Sequence, residues 1–214
     1  MEALLDIVTV AFGDELAFLR LQARSLDRFF DTRNLGRIIV VVNDRRERDT
    51  LQALEEMRRE YGRLADRVDI VTPASLLNAP RSLRYRIERR WVSEVRGRWK
   101  AHAGWAGNHG WRMQQAFKLL AANRTTASNI LILDAKNHFV RAAGVSDFLS
   151  DEGLPRTALV APSGKFATWA EHSFRLLQPG HRGAPDRIPR SVTPFVVDRG
   201  LLLDLVAHLE QRFG

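Results

Sequence analysis

The chain has 214 residues, 45% of them hydrophobic and 27% charged, no cysteine, and a formal net charge of +8. That length suits one sizeable core, and the composition excludes a disordered or fibrous chain, a disulfide framework and a thiolate metal site. The surplus positive charge asks for an anionic partner, whether a nucleotide diphosphate, an acidic polymer, a membrane surface or nucleic acid, without choosing among them.

The start, "MEALLDIVTV", has neither a basic leader region nor a small-residue cleavage site, and no apolar run reaches the roughly 20 residues that cross a bilayer. The expected location is therefore cytoplasmic, at closest peripheral to the inner membrane surface. "LLDIVTVAF" reads as a buried strand closed by Gly13, with Asp14 placed to cap a helix over 14–30 that carries Leu16, Leu19, Ala23, Leu26 and Phe30 at helical spacing. "RIIVVVNDR" lacks period-two alternation, as a central parallel strand covered on both faces does. Leu51, Leu54, Met57 and Tyr61 mark a helix over about 46–62, and "RVDIVTP" is a third strand stopped by Pro73.

From 74 to 110 the pattern loosens. Residues 81–100 hold seven arginines and one lysine against two glutamates, with a helix expected over 81–96. A helix at 111–123 follows, then the strand "NILILD", a short helix near 144–150, the strand "TALVAP", the helical "TWAEHSFRLLQ", the loop "PGHRGAPDRIPR", the strand "VTPFVV" and a C-terminal helix. Strands alternating with helices predict an α/β fold, an open and mostly parallel sheet with helices on both faces. One domain over 1–214 is the economical expectation.

In such sheets ligands bind beyond the carboxyl ends of the strands, near the switch in strand order. The residues placed there are Phe12 to Asp14, Asn43 and Asp44, Thr72, Asp134 to His138, Pro162 to Lys165, and Asp198. Asn, Asp, Gly and Ser also belong in turns for backbone reasons alone. Asp134 stands out because it closes the most apolar strand of the second half and is followed by Lys136, Asn137 and His138. In "GWRMQQAFKLLAA", Met113, Ala116, Phe117 and Leu120 form one apolar stripe. Trp111, Gln114, Gln115 and Lys118 share the opposite face, where a ring, two amides and an ammonium suit sugar or base edges.

The succession "DIVTVAFGDE", "GWRMQQAFKL", "ILILDAKNHFV", "TPFVVDRGLLLDLVAHLE" resembles a family of bacterial proteins of unknown function grouped with the GT-A glycosyltransferases. The likeness spans residues 6 to about 210, and its most specific parts are the Trp-x-x-Gln-Gln-x-x-Lys-Leu helix and the Asp strand after it. The resemblance implies a GT-A-type fold and transfer of a sugar from a nucleotide-sugar donor to a glycan or small-molecule acceptor in bacterial glycan or surface-polysaccharide synthesis. It divides the chain into a nucleotide-binding half, about 1–135, and an acceptor half, about 136–214. Val8, Thr9, Ala11, Asn43 and Asp44 would line the nucleotide site, and Asp134 would be the first acid of an Asp-x-Asp metal motif. The pattern breaks at position 136, a lysine where the second acid belongs.

Sugar transfer leaves a nucleoside diphosphate whose charge must be met by a metal ion or by fixed cations. Either Asp134 holds Mn2+ or Mg2+ with help from Asn137 or His138, or Lys136 itself faces the diphosphate, or the site binds without catalysing. Lys118 is a further candidate to offset phosphate charge. For the acceptor base an inverting transfer needs a carboxylate or imidazole; Glu171, His172, Asp147 and Asp186 are candidates. The histidines lack metal-ligand spacing, and no phosphate-loop or nucleophile-elbow motif is present. The competing class is a non-catalytic binder in which the basic segment and its tryptophans track a nucleic acid or another anionic polymer. The polar strand ends favour a small-molecule cleft, so nucleic acid is the lesser expectation.

Overall fold

A computed structural model describes residues 4–77, 104–178, 180, 185–190 and 192–213. The helix expected over 81–96, the basic segment of 81–100 and part of the 179–190 loop lie outside the described residues.

The first strand, β1 (Leu5–Ala11), is buried at every position. It lies between β2 (Leu35–Val42) and β4 (Asn129–Asp134), parallel to both, and β2 pairs in parallel with β3 (Val68–Val71). Side chains of β1 alternate between two cores. Leu5, Ile7 and Ala11 pack with Leu19, Ala23 and Leu26 of α1 (Leu16–Phe29) and Leu54 of α2 (Glu47–Met57), while Val8 and Val10 pack with Phe117 and Ala121 behind the other face. Because both faces are covered, the strands read as unbroken apolar runs.

After a four-residue helical turn, α3 (Pro73–Leu76), the described chain resumes before α4 (Gly110–Leu120), which leads into β4. A two-stranded ribbon, β5 (Leu159–Val160) with β6 (Ile188–Pro189), flanks α5 (Lys165–Leu177) in sequence. The chain then forms β7 (Phe195–Asp198) and α6 (Arg199–Phe213). The main sheet runs β3-β2-β1-β4-β7, with β7 antiparallel to β4. The chain winds outward from β1 through β2 to β3 and then jumps to the far side of β1, so the switch in strand order falls between β1 and β4.

Several expected elements shift. The helix start at Asp14 becomes a 3-10 turn, Gly13–Glu15, with no side-chain cap. Capping comes instead from the neighbouring strand end: the Gly13 N–H donates to Asp44 Oδ2 at 2.6 Å. A Cβ on Gly13 would lie 2.7 Å from that oxygen, so any larger residue would push the Asp44 carboxylate aside. The helix over 46–62 ends at Met57 and continues as a 3-10 stretch to Arg67, and the one near 144–150 shrinks to Val145–Asp147. "TALVAP" supplies only the exposed two-residue β5, outside the main sheet, because β7 occupies the edge of β4 that it would have taken. At the amino-terminal rim the fully buried Asp6 accepts from the backbone N–H groups of Arg37, Thr126 and Ala127 at 2.6, 2.6 and 3.0 Å. Among the described residues no helix is long and apolar enough to cross a membrane.

Candidate functional site

Asp134 ends β4 beside the switch point. Its Oδ1 receives the Lys118 Nζ at 2.7 Å and its Oδ2 the Thr193 hydroxyl at 2.7 Å, with the Gln114 amide farther off at 3.5 Å. The pair is asymmetric: the Lys118 side chain is 8% exposed and that of Asp134 40%. Burial opposes ionisation of the carboxyl most strongly. Together the Lys118 and Thr193 hydrogen bonds and the charges of Lys118 and Lys136 outweigh it and hold Asp134 below the usual carboxylate range.

The turn that carries this carboxylate is fixed from α1. Gln22, buried, donates to the carbonyls of Asp134 at 2.8 Å and Asn137 at 3.1 Å, and accepts from the Thr9 hydroxyl at 3.0 Å. The Asn137 side-chain oxygen accepts from the Asp134 N–H at 2.7 Å. Across the switch point, Lys136 Nζ lies 3.7 Å from Glu15 Oε1, so a loose ion pair between an exposed lysine and a half-buried glutamate spans the ends of β1 and β4. Glu15 Oε2 is buried without a hydrogen-bond partner among the described residues.

The residues expected to line a nucleotide site are held in the strand core or by hydrogen bonds to neighbouring backbone. Val8, Thr9 and Ala11 are fully buried, as a central strand requires, so their side chains belong to the core. Asn43, also fully buried, donates to the Gly110 carbonyl at 2.9 Å and accepts from the Trp105 N–H at 3.0 Å. It clamps the segment entering α4 onto β2; a Cβ on Gly104 would lie 2.6 Å from its oxygen. Asp44 caps the Gly13 turn and the Arg46 N–H. Trp105, buried, sends its indole N–H to Glu47 at 2.8 Å.

On α4 the polar face is not a solvated one. Lys118 is buried against Asp134, Gln114 and Gln115 are half-buried, and only Trp111, 50% exposed, stands clear. Lys118, expected to offset phosphate charge, is paired here with the protein's own carboxylate. The Trp111 ring meets Trp169 of α5 at 5.6 Å between centroids, Phe166 stands edge-on to Trp169 at 5.5 Å, and Lys165 Nζ lies 5.4 Å and 5.5 Å from the Phe166 and Trp169 rings. Glu171 pairs with Arg175 one turn on, and His172 is exposed. Asp147 accepts from the Gly144 N–H at 2.7 Å, a turn cap, and Asp186 is exposed.

A divalent cation fits poorly here. Asn137 has used its oxygen on the backbone, His138 is exposed, and among the described residues no three His, Asp or Glu side chains cluster. The carboxylate that ends β4 already carries an ammonium, and that of Glu15 faces Lys136. A divalent ion about 4 Å from that ammonium would be repelled by on the order of 8 kcal/mol at an effective dielectric of about 20, before any phosphate arrives.

Sequence reasoning missed Gln22, Thr193, Glu15, Phe166 and Trp169. Gln22 had left a trace, as a glutamine inside the core-facing stripe Leu19, Ala23, Leu26; Thr193, 59 residues from Asp134, had left none.

The profile of a family of unknown function (DUF6492) matches residues 3–214, and the chain belongs to that family. No curated protein matches it. Among solved structures it is similar to mouse xyloside xylosyltransferase 1 in its apo form, at 14% identity and TM-score 0.49, covering 98% of this chain and 72% of that one. A galactosyltransferase in complex with donor and acceptor sugar analogues shares 13% identity at TM-score 0.43, covering 96% and 64%. The core-mannan synthase A of Aspergillus fumigatus, in a manganese and GDP form, shares 10% at TM-score 0.49, covering 97% and 64%. The chain thus spans less than two thirds of the length of the latter two.

Proposed function

For this member of a family of unknown function we propose a GT-A-type glycosyltransferase that moves a sugar from a nucleotide-activated donor to the hydroxyl of a glycan acceptor, in cytoplasmic synthesis of a bacterial glycan. The observation that carries the reading is Asp134: an ionised, half-open carboxylate at the switch point of a mostly parallel sheet, oriented by Lys118 and Thr193. An ion so placed is costly to maintain in a merely structural role and well suited to accept hydrogen bonds from a polyol. The resemblance of the Trp-x-x-Gln-Gln-x-x-Lys-Leu helix and the following Asp strand to GT-A sequences supports the same reading.

In this reading the donor diphosphate enters between the ends of β1 and β4, where Lys136 is exposed. Asp134 accepts from hydroxyls of the donor sugar. Trp111, one turn of α4 before Gln114 and two before Lys118, offers with Trp169 a half-exposed aromatic wall for a sugar ring. For a direct displacement the acceptor oxygen bonds to the anomeric carbon, the bond from that carbon to the diphosphate breaks with its electron pair leaving on phosphate, and the acceptor proton passes to a base. His172 suits that role better than Glu171. It follows Trp169 by three residues on α5 and so neighbours the aromatic wall, whereas Glu171 is turned to Arg175.

The test is turnover of nucleotide sugars by the purified protein, with wild type, Asp134→Asn, Trp111→Ala and His172→Ala compared. Donor hydrolysis or transfer that vanishes in Asp134→Asn supports the assignment; undiminished turnover in that variant removes Asp134 from the mechanism. Binding to single strands that falls steeply with salt, without selection among nucleotides, would favour the polymer-binding alternative.

A further inference from the structure

We infer that this site binds its nucleotide diphosphate without a divalent cation, because the Lys118 ammonium already fills the position on Asp134 that a cation would take. The inference rests on the transferase reading and goes beyond it in naming what neutralises the leaving group.

Three observations carry it. Lys118 is held on Asp134 at 2.7 Å from a buried position, 7% exposed, and withdrawing it would leave a cation without a partner inside the protein. The second oxygen of Asp134 is occupied by Thr193. The nearby donor expected to help, Asn137, is locked on the Asp134 N–H.

Charge balance points the same way. Two carboxylates with a divalent ion present no net charge to an incoming diphosphate. Here Asp134 and Glu15 with Lys118 and Lys136 likewise sum to no net charge, so the two lysines already supply the positive charge that a divalent ion would bring. Lys136 is the mobile member. Its side chain is 66% exposed and lies 3.7 Å from Glu15, longer than a charge-assisted hydrogen bond, so it is free to swing from the carboxylate to a phosphate oxygen. The lysine that breaks the Asp-x-Asp pattern is thus the replacement for the metal and not the loss of it.

Titration calorimetry with UDP, GDP, CDP and ADP tests this on protein stripped with EDTA, and again with manganese or magnesium added. The expected result is selective binding by the stripped protein that changes by less than about twofold when metal is added, and that weakens by about tenfold in Lys136→Gln. A gain of about tenfold or more on adding metal overturns the inference and leaves the transferase reading standing. No binding of any nucleotide in either state overturns both. Manganese resonance without nucleotide gives a second readout. Wild-type protein should leave the aquo-ion signal unchanged, and Lys118→Met, which uncovers Asp134, should reduce it; loss of signal with wild type counts against the inference.

Discussion

Removing either partner of the Lys118–Asp134 pair should destabilise the protein unequally. In Asp134→Ala the ammonium of Lys118, with its side chain 8% exposed, is left buried without a counter-ion, a change that costs about 3 kcal/mol. In Lys118→Met the carboxylate left behind is 40% exposed and keeps Thr193 and water. The same penalty is then screened to about 1 kcal/mol, and methionine retains the apolar stem. At this chain length each kcal/mol shifts the midpoint by roughly 2–4 °C, so losses of about 6–12 °C and 2–4 °C are expected. The double variant removes both charges and should lie about 2 kcal/mol above the sum of the singles. Urea unfolding of the four proteins at neutral pH measures this. Equal losses in the two singles, or additivity within about 0.5 kcal/mol, would falsify the asymmetric pair.

Three further outcomes follow from this pair's titration and from two other contacts. Asp134 has its carboxyl held below the ordinary range, so its share of stability is complete above about pH 4 and is lost as acid protonates it below that; acid titration of unfolding should show this increment in wild type and lack it in Asp134→Ala. Burial pushes the Tyr61 phenol far above its ordinary pKa, and its hydroxyl has no partner among the described residues. Tyr61→Phe removes an unsatisfied polar group at constant shape and should raise the melting point, by about 1 kcal/mol in stability; a lowered midpoint would show that the hydroxyl is satisfied. Asn43→Ala breaks both clamps on the segment before α4 and should cost about 2–3 kcal/mol. Amide exchange there should accelerate beyond that of β1, and uniform acceleration would refute a local clamp.

Much of the sheet was legible because β1, β2 and β4 are apolar without alternation, a pattern that central strands covered on both faces must have. Asp134 was legible for the same reason: a charge that ends so apolar a run is conspicuous. The roles around it were not. Lys118 looked like a cation facing a ligand phosphate because helical periodicity gives the angle around an axis, and only tertiary packing decides what lies at that angle. Asn43 looked like a ligand contact for want of any local sign that Gly110 and Trp105, more than 60 residues on, would use it. The aromatic wall joins α4 to α5 across more than 50 residues, a pairing that neither helix announces.

The aspartates at the two ends of the sheet differ in what they leave unused. Asp6 is consumed by three backbone amides and lies wholly inside, stitching β1, β2 and the approach to β4 into register from below. The opposite end carries exposed Asp14, Lys136 and His138. A directed-evolution library confined to those three positions would therefore sample new ligand preferences while the strand register, fixed at the other rim, is inherited unchanged by every clone.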